Sequence, residues 1–433
     1  MIPIFSTSQA GWRESLSALL DRRRAVPAEI EQTVRDIVRD VRENGDEALH
    51  AFTRKFDGFS PDAAGMIIDK EAIYDAYVRT HPDIRIALNR AAERISAYHR
   101  HQVEHSWITT DDSGVILGQK IGPVDSVGVY IPGGKNAFPS SLLMNVIPAK
   151  IARVENIVVV SPTPGGEIQN SLLAAAHIAG VERIFRLGGA QAVAALAYGT
   201  ASVPRVDKVV GPGNMYVALA KRMLQGIIGT DSFAGPSEIL IIADGGADPR
   251  VIASDLLSQA EHDSLASSIL VTWFEELARA VMEELALLAD DLPRSDVIRH
   301  SLGTYGACIV TSDRDEAFAI ANMVAPEHLE LMMENAYECL GKVKHAGAIF
   351  LGYSSPEVIG DYIAGPNHTL PTGSTARFSS PLGVYDFMKR SSIIGFTAQA
   401  LKDLGPLAIT IARAEDLEAH ARSVEIRIRE SGR

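Results

Sequence analysis

The stretch Leu257-Ser258-Gln259-Ala260-Glu261-His262-Asp263 carries donor side chains at a spacing that can hold a metal. Asp255, Gln259 and His262 stand at i, i+4 and i+7, so on a helix they share one edge. An amide oxygen and an imidazole nitrogen can then aim at one point. If the helix ends there, its macrodipole favours a cation. Two ligands do not close a metal site. Three other places offer donors: Asp361 in Gly360-Asp361-Tyr362, the acid and imidazole of Glu327-His328, and the run Glu415 to His420. Gln259, His262, Asp361 and His420 together would supply two imidazoles, a carboxylate and an amide oxygen. Such a nitrogen and oxygen set suits zinc or a neighbouring divalent ion, with room for substrate. These residues span more than a third of the chain, so spacing alone does not join them. Taken singly, each is first an ordinary polar residue. His99, His101 and His105 also tempt, but i, i+2 and i+6 do not share a helix face, and a solvated helix end is expected there.

The elements that must position these residues follow from periodicity. Val251, Ile252, Leu256 and Ala260 form the apolar stripe of a helix starting near Asp248. Before it, Pro27 opens a helix whose stripe is Ile30, Val34, Ile37, Val38 and Val41. More helix runs from Asp69 to about Tyr98. From Pro123 the texture becomes strand and helix in alternation, which means parallel βαβ units. Strands are expected at 124–130, 157–160, 184–187 and 206–210, and again at 239–242, 268–271, 307–310 and 347–350. The fold expected is α/β: two incomplete Rossmann-like βαβ modules, a helical N-terminal segment and a small helical C-terminal tail. The domain division expected is a helical segment 1–26, a main α/β domain from 27–122 and 237–382 carrying the metal site, a second Rossmann-like domain 123–236, and a tail 383–433. The Gly, Pro, Ser and Thr-rich stretch 352–384 reads as a long ordered loop, a type that is usually functional. The tail is short enough to need another body to pack on.

Composition bounds the function. The chain has 433 residues, 46% hydrophobic and 22% charged, an ordinary soluble balance across more than one core. A net charge of −13 argues against a general nucleic-acid or anionic-membrane binder. Two cysteines, Cys308 and Cys339, exclude a disulfide framework and fit a reducing compartment. The N-terminus has no secretory pattern, and no apolar run is long enough to span a membrane, so the cytoplasm is expected.

Eight segments then carry a resemblance. They are Tyr130-Ile131-Pro132-Gly133-Gly134, Gly188-Gly189-Ala190-Gln191-Ala192, Gly211-Pro212-Gly213-Asn214 and Ala234-Gly235-Pro236-Ser237-Glu238. The others are Gln259-Ala260-Glu261-His262-Asp263, Pro326-Glu327-His328-Leu329-Glu330, Gly360-Asp361-Tyr362 and Asn367-His368-Thr369-Leu370-Pro371-Thr372. Their order and register, from about residue 30 to residue 427, resemble the histidinol dehydrogenase family. The resemblance implies oxidation of L-histidinol to L-histidine through histidinal, the last steps of histidine biosynthesis, with two NAD⁺. It implies one zinc per subunit on Gln259, His262, Asp361 and His420, and an acid/base pair Glu327 and His328. Substrate contacts carried over are Ser237, Gln259, His262, His328, Asp361, Glu415 and His420; NAD contacts are Tyr130, Gln191 and Asn214. A homodimer is implied too, whose tail crosses so that Glu415 and His420 serve the other subunit's site.

The residue types suit that chemistry. Two hydride transfers each need a proton taken from oxygen, and an imidazole such as His328 titrates in the right range. Glu327 can activate the water that adds to the aldehyde. Adjacent residues on a strand point to opposite faces, so the pair can serve one substrate only from a turn or helix start, which Pro326 favours. Zinc would orient the substrate's imidazole and amine. The glycine segments read equally as tight strand-to-helix turns, and neither is a full G-x-G-x-x-G, so NAD rests on the resemblance. His368 offers a substrate contact at most. Asp255 is expected to be a solvated helix-surface carboxylate. Two rival readings remain open: a paralogous zinc- and NAD-dependent dehydrogenase of another small polar alcohol, such as a sulfonated diol, and a metal-dependent sensor without chemistry.

Overall fold

Apolar runs that stay buried on both faces build parallel sheets, and helices between them make the crossovers. Strand Glu238–Ala243 shows the pattern, with all six residues buried. The structure is a computed structural model and describes residues 2–22, 28–59, 65–133, 137–232 and 235–430. Expectations for Pro27, Gly134 and Ala234 lie outside the described residues.

Two six-stranded sheets result. The first runs, in spatial order, Ile4–Ser6, Ala307–Val310, Ser267–Thr272, Glu238–Ala243, His328–Met332 and Ala348–Leu351, with every neighbouring pair parallel. Ile239 stands opposite His328 in this register. The second sheet runs Ile67–Ile68, Ile184–Arg186, Asn156–Ser161, Ser126–Tyr130, Lys208–Val210 and Gly229–Thr230; only the Ile67–Ile68 edge is antiparallel. In each sheet the chain begins winding at a central strand, Glu238–Ala243 or Ser126–Tyr130, and later turns back past it. That is doubly wound topology, with a crevice at the reversal.

Three expectations are corrected. The N-terminal segment is not purely helical, because Ile4–Ser6 pairs with Ala307–Val310 and extends the first sheet. Leu16 and Leu19 of the helix Trp12–Arg22 pack in the same core as Leu240, Ile309 and Leu329. Residues 28–100 do not group with 237–382. Val34, Ile37, Val41 and Leu49 share a core with Val158, Phe185 and Leu196, while Ile73, Leu88 and Ile95 share one with Val127, Leu142 and Leu172. The apolar stripe of each helix was legible, but the sheet it would cover was not.

The tail is not purely helical either. Met388–Phe396 is a nine-residue strand pairing antiparallel with Val115–Pro123, and Trp107–Thr110 completes a three-stranded sheet. Two helices follow, Ala398–Ala414 and Glu418–Glu430, broken where Asp416 turns at φ 57°. They pack on each other, and the first also packs on the strand Met388–Phe396. Among the described residues, no helix is long and apolar enough to cross a membrane.

Candidate active site

The helix Pro249–Ala260 returns from the carboxyl end of its sheet to the amino end, starting where the Asp248 side chain accepts from the Arg250 N–H at 2.9 Å. It delivers Gln259 in its last turn, fully buried and with neither amide atom hydrogen-bonded. Buried amides are normally paired, so this one is arranged for something beyond the chain's own groups. His262 lies just past the helix end, and its backbone N–H donates to the Gln259 carbonyl at 3.2 Å.

The stretch expected as a loop holds a short helix, Glu357–Tyr362. Glu357 and Asp361, at i and i+4, share one face of it. One ligand atom each from His262, Glu357 and Asp361 lies within 4.8 Å of the others. Glu357 was not anticipated, although its spacing from Asp361 is the signal that singled out Asp255 and Gln259. It is 1% exposed, and its Oε1 has no hydrogen bond. Burial, then the charges of Asp361 and Glu330, push its carboxyl up to about 9.

The Glu327-His328 pair arrives on the neighbouring strand. A turn or a helix start was expected, and the structure has the turn: Ala325, at φ 52°, closes the helix Arg314–Val324, Glu327 bends, and the strand begins at His328. The bend precedes the strand's alternation, so the two side chains converge, with Glu327 Oε2 3.7 Å from His328 Nδ1. Glu327 Oε2 accepts from the Glu238 N–H at 2.8 Å. Burial, reinforced by the nearby Glu238 carboxylate, holds the Glu327 carboxyl well above the usual range.

His328 Nδ1 lies 3.0 Å from the Glu238 carbonyl. A carbonyl only accepts, so Nδ1 carries the hydrogen and Nε2 keeps the lone pair. That Nε2 is buried without a hydrogen bond, 3.7 Å from Glu357 Oε1 and 3.9 Å from Asp361 Oδ1. Burial lowers the imidazole's pKa, against the opposing pull of Asp361. The result is a neutral base with one fixed donor and one free acceptor, facing the donor cluster. Ser237 lies one residue before the strand Glu238–Ala243, with its carbonyl accepting from the Ser267 N–H at 3.0 Å.

Asp255 is corrected. It is 7% exposed, and its carboxyl neighbours that of Glu330, itself 1% exposed; Asp255 Oδ2 and Glu330 Oε2 have no N–H or O–H donor. Burial pushes Glu330 up to about 9 and Asp255 to about 6. One hydrogen shared between the two carboxyls would close a bond between them. The His99 expectation is corrected too. His99 is fully buried against the Ile95 carbonyl at 2.8 Å, while His101 and His105 are exposed as expected.

Glu415 and His420 do not join the cluster within this chain. Glu415 caps the helix Ala398–Ala414, His420 lies on the next, and both are exposed. Among the described residues, the group of close metal-type donors is His262, Glu357 and Asp361. With the unpaired amide of Gln259, three residues before His262, two carboxylates, an imidazole and an amide would suit a divalent ion with nitrogen and oxygen preferences.

His368 links this cluster to the other module. Its Nδ1 donates to the Asp361 carbonyl at 2.8 Å, so its Nε2 accepts from the Ser141 hydroxyl at 3.1 Å. Ser141 lies in the first turn of the helix Pro139–Ile151, which opens after the strand Ser126–Tyr130. The expected cofactor residues sit at that same carboxyl edge. Tyr130 is buried, with its hydroxyl accepting from the Gly189 N–H at 3.1 Å. Burial pushes this phenol up to about 12. Gln191 is 1% exposed with Oε1 unpaired. Asn214 is exposed and caps the helix Met215–Leu224 by accepting from the Tyr216 and Val217 N–H groups.

The Asn214 turn is held from below. Gly211 donates to Asp231 at 2.7 Å, Lys221 donates to the Gly211 carbonyl at 2.9 Å, and Lys221 and Asp231 form a buried ion pair. Gly211, at φ 110°, comes so close that an added Cβ would lie 2.1 Å from the Tyr130 carbonyl oxygen. Only glycine fits such an approach. Carboxyl ends at a topological reversal are where open α/β sheets bind ligands.

Comparison with known proteins gives one consistent result. A family model described as histidinol dehydrogenase matches residues 20–428. The chain is 50% identical over 431 residues to a histidinol dehydrogenase of Syntrophotalea carbinolica, covering 100% of both. To that of Geobacter sulfurreducens it is 52% identical over 414 residues, 95% of this chain and 96% of the relative. The crystal structure of histidinol dehydrogenase from Elizabethkingia anophelis superposes with a TM-score of 0.93 at 32% identity, over 100% of this chain and 99% of that one.

Proposed function

Because the chain belongs to the histidinol dehydrogenase family, a family of oxidoreductases, we propose that it oxidises L-histidinol to L-histidine through L-histidinal. Two NAD⁺ would each take a hydride, and zinc would bind at Gln259, His262, Asp361 and His420. The observation that carries this reading is His328, with Nδ1 tied to the Glu238 carbonyl and Nε2 free beside the donor cluster.

The carbinol carbon loses a hydride to NAD⁺, and its hydroxyl proton goes to His328 Nε2. Water then adds to the aldehyde. Glu327 takes the proton of that water; a carboxyl held above the usual range is a stronger base once deprotonated. Glu327 passes that proton to the former carbonyl oxygen, completing the neutral hydrate, and His328 releases its first proton to solvent; the hydrate would then give a second hydride to a second NAD⁺ and its hydroxyl proton to His328, leaving the acid. Zinc bound at this site supplies orientation, through the substrate's imidazole and amine. Ser237 at the amino end of the strand, Asp361 on the short helix, Glu415 and His420 complete the substrate contacts in this reading.

NAD is assigned to Tyr130, Gln191 and Asn214. The doubly wound carboxyl edge and the unpaired Gln191 amide oxygen support this. The bond from His368 to Ser141 runs between that edge and the Asp361 helix. A homodimer with crossed tails is supported by the separation of Glu415 and His420 from their own chain's cluster, and by the exposed Leu404, Leu407, Ile411 and Ile426 of the tail helices. Free, buried Cys308 and Cys339 suit a reducing cytoplasm.

The test is turnover of the zinc-loaded protein with L-histidinol and NAD⁺. Two NADH per histidinol are expected. No NADH from protein shown to hold zinc would sink the reading.

A further inference from the structure

The donor and base residues ride on three separate elements: the helix Pro249–Ala260, the strand His328–Met332 and the helix Glu357–Tyr362. We propose that Glu330 is a positioning residue that locks these three elements in register, setting the geometry of the metal site without touching metal or substrate. The inference rests on the zinc assignment made above.

Each link is on one side chain. Glu330 is two residues from His328 on the strand, and strand residues two apart point to the same face. Its Oε1 accepts the backbone N–H of Glu357, the first residue of the short helix, at 2.7 Å. Its other oxygen, Oε2, and Asp255 Oδ2 are both buried with no N–H or O–H donor from elsewhere in the chain, so the two neighbouring carboxyls have only each other to bond. Asp255 lies one turn before Gln259 on the long helix. All of this is buried, with Glu330 at 1% exposure and Asp255 at 7%. Ser258 adds a weaker strut, its hydroxyl 3.4 Å from Glu357 Oε2. Helix Glu357–Tyr362 has only six residues, too few to hold itself by its own backbone bonds. A carboxyl oxygen fixing its first N–H therefore fixes where Asp361 points, one turn later.

A proton on Glu330 satisfies the pair, since two carboxylates cannot donate to each other. A neutral amide reproduces that arrangement: its oxygen accepts from Glu357 and its nitrogen donates to Asp255. An apolar side chain of similar size breaks both links. Glu330→Gln and Glu330→Leu therefore separate positioning from bulk packing.

The experiment measures zinc dissociation constants by chelator competition on the full-length protein, with hydrogen exchange over residues 356–363 in the zinc-free form. Glu330→Gln is expected to match the unaltered protein in both. Glu330→Leu is expected to bind zinc about 10- to 100-fold more weakly and to lose protection at the Glu357 amide. If Glu330→Leu does not fold, Asp255→Ala serves. It frees only the long helix, so zinc should weaken by about tenfold while the Glu357 amide stays protected. Equal zinc affinity in the folded apolar variant overturns the proposal. So does an equal loss in the glutamine variant. Failure of the unaltered protein to bind zinc overturns the metal assignment instead, and the exchange measurement still reads the lock.

Discussion

Replacing His328 by asparagine tests the base directly. The asparagine amide nitrogen can keep the donor bond to the Glu238 carbonyl, now 3.0 Å from Nδ1, while the lone pair at Nε2 is deleted. The retained bond is worth about 1 kcal/mol of stability, so the fold should survive with little change in Tm. A positioned general base contributes roughly 10²- to 10⁴-fold, about 2.7–5.4 kcal/mol of barrier at 1.36 kcal/mol per decade. Turnover should fall by that factor. Zinc affinity should not change, because His328 is outside the group formed by His262, Glu357 and Asp361. NADH absorbance gives the rate, chelator competition gives the zinc affinity, and thermal unfolding controls for the fold. A pH profile adds a second reading: burial lowers the imidazole's pKa, so the acid limb should lie below the ordinary imidazole range and vanish in the variant. Turnover within tenfold of the unaltered protein would refute the assignment. A parallel loss of zinc would show that the residue acts through the metal.

Glu327→Gln should stop the reaction near one NADH per histidinol, with aldehyde detectable by a carbonyl-trapping reagent; unchanged two-to-one stoichiometry would remove Glu327 from the water step. If tails cross between subunits, His328→Asn and His420→Ala proteins, each inactive, should regain about a quarter of full activity after unfolding and refolding together, because half the dimers then hold one intact site. No recovery, with dimers formed, would place His420 in its own chain's site. His99, buried and neutral, has its pKa lowered from 6.5. The unfolded chain therefore binds the extra proton first, and stability is lost as pH falls below about 6.5. His99→Gln should lose less Tm between pH 7 and pH 5 than the unaltered protein; an identical slope would show that His99 does not titrate on unfolding.

The parallel strands were legible because buried strands write themselves as β-branched runs, as in Ile239 to Ile242. The antiparallel sheet was not. Val115–Pro123 and Met388–Phe396 are mostly half-exposed, and Gly118, Gly122 and Gly395 interrupt their alternation. Helix stripes announced burial at Val34 or Ile95 but not which sheet would cover them, since an apolar face carries no address. At the site, Gln259 and His262 were legible from helical spacing. Glu357 was missed because its stretch read as loop, and a loop has no face on which to compare i with i+4. Asp255 was misjudged for another reason: a carboxylate reads as solvated unless its proton-sharing partner, 75 residues away at Glu330, is known.

The edge strand Ile4–Ser6 has a consequence for biosynthesis. Its partner, Ala307–Val310, leaves the ribosome some 300 residues later, roughly 15–60 s at ordinary elongation rates. The sheet ending at Gly229–Thr230 has all its strands made before Glu238 is translated. The half built on that sheet can therefore fold early, while Leu16 and Leu19 wait with their apolar faces uncovered. The nascent chain carries Ile4–Ser6 as an unpaired strand until Ala307–Val310 is made, and the half that bears the donor cluster closes last.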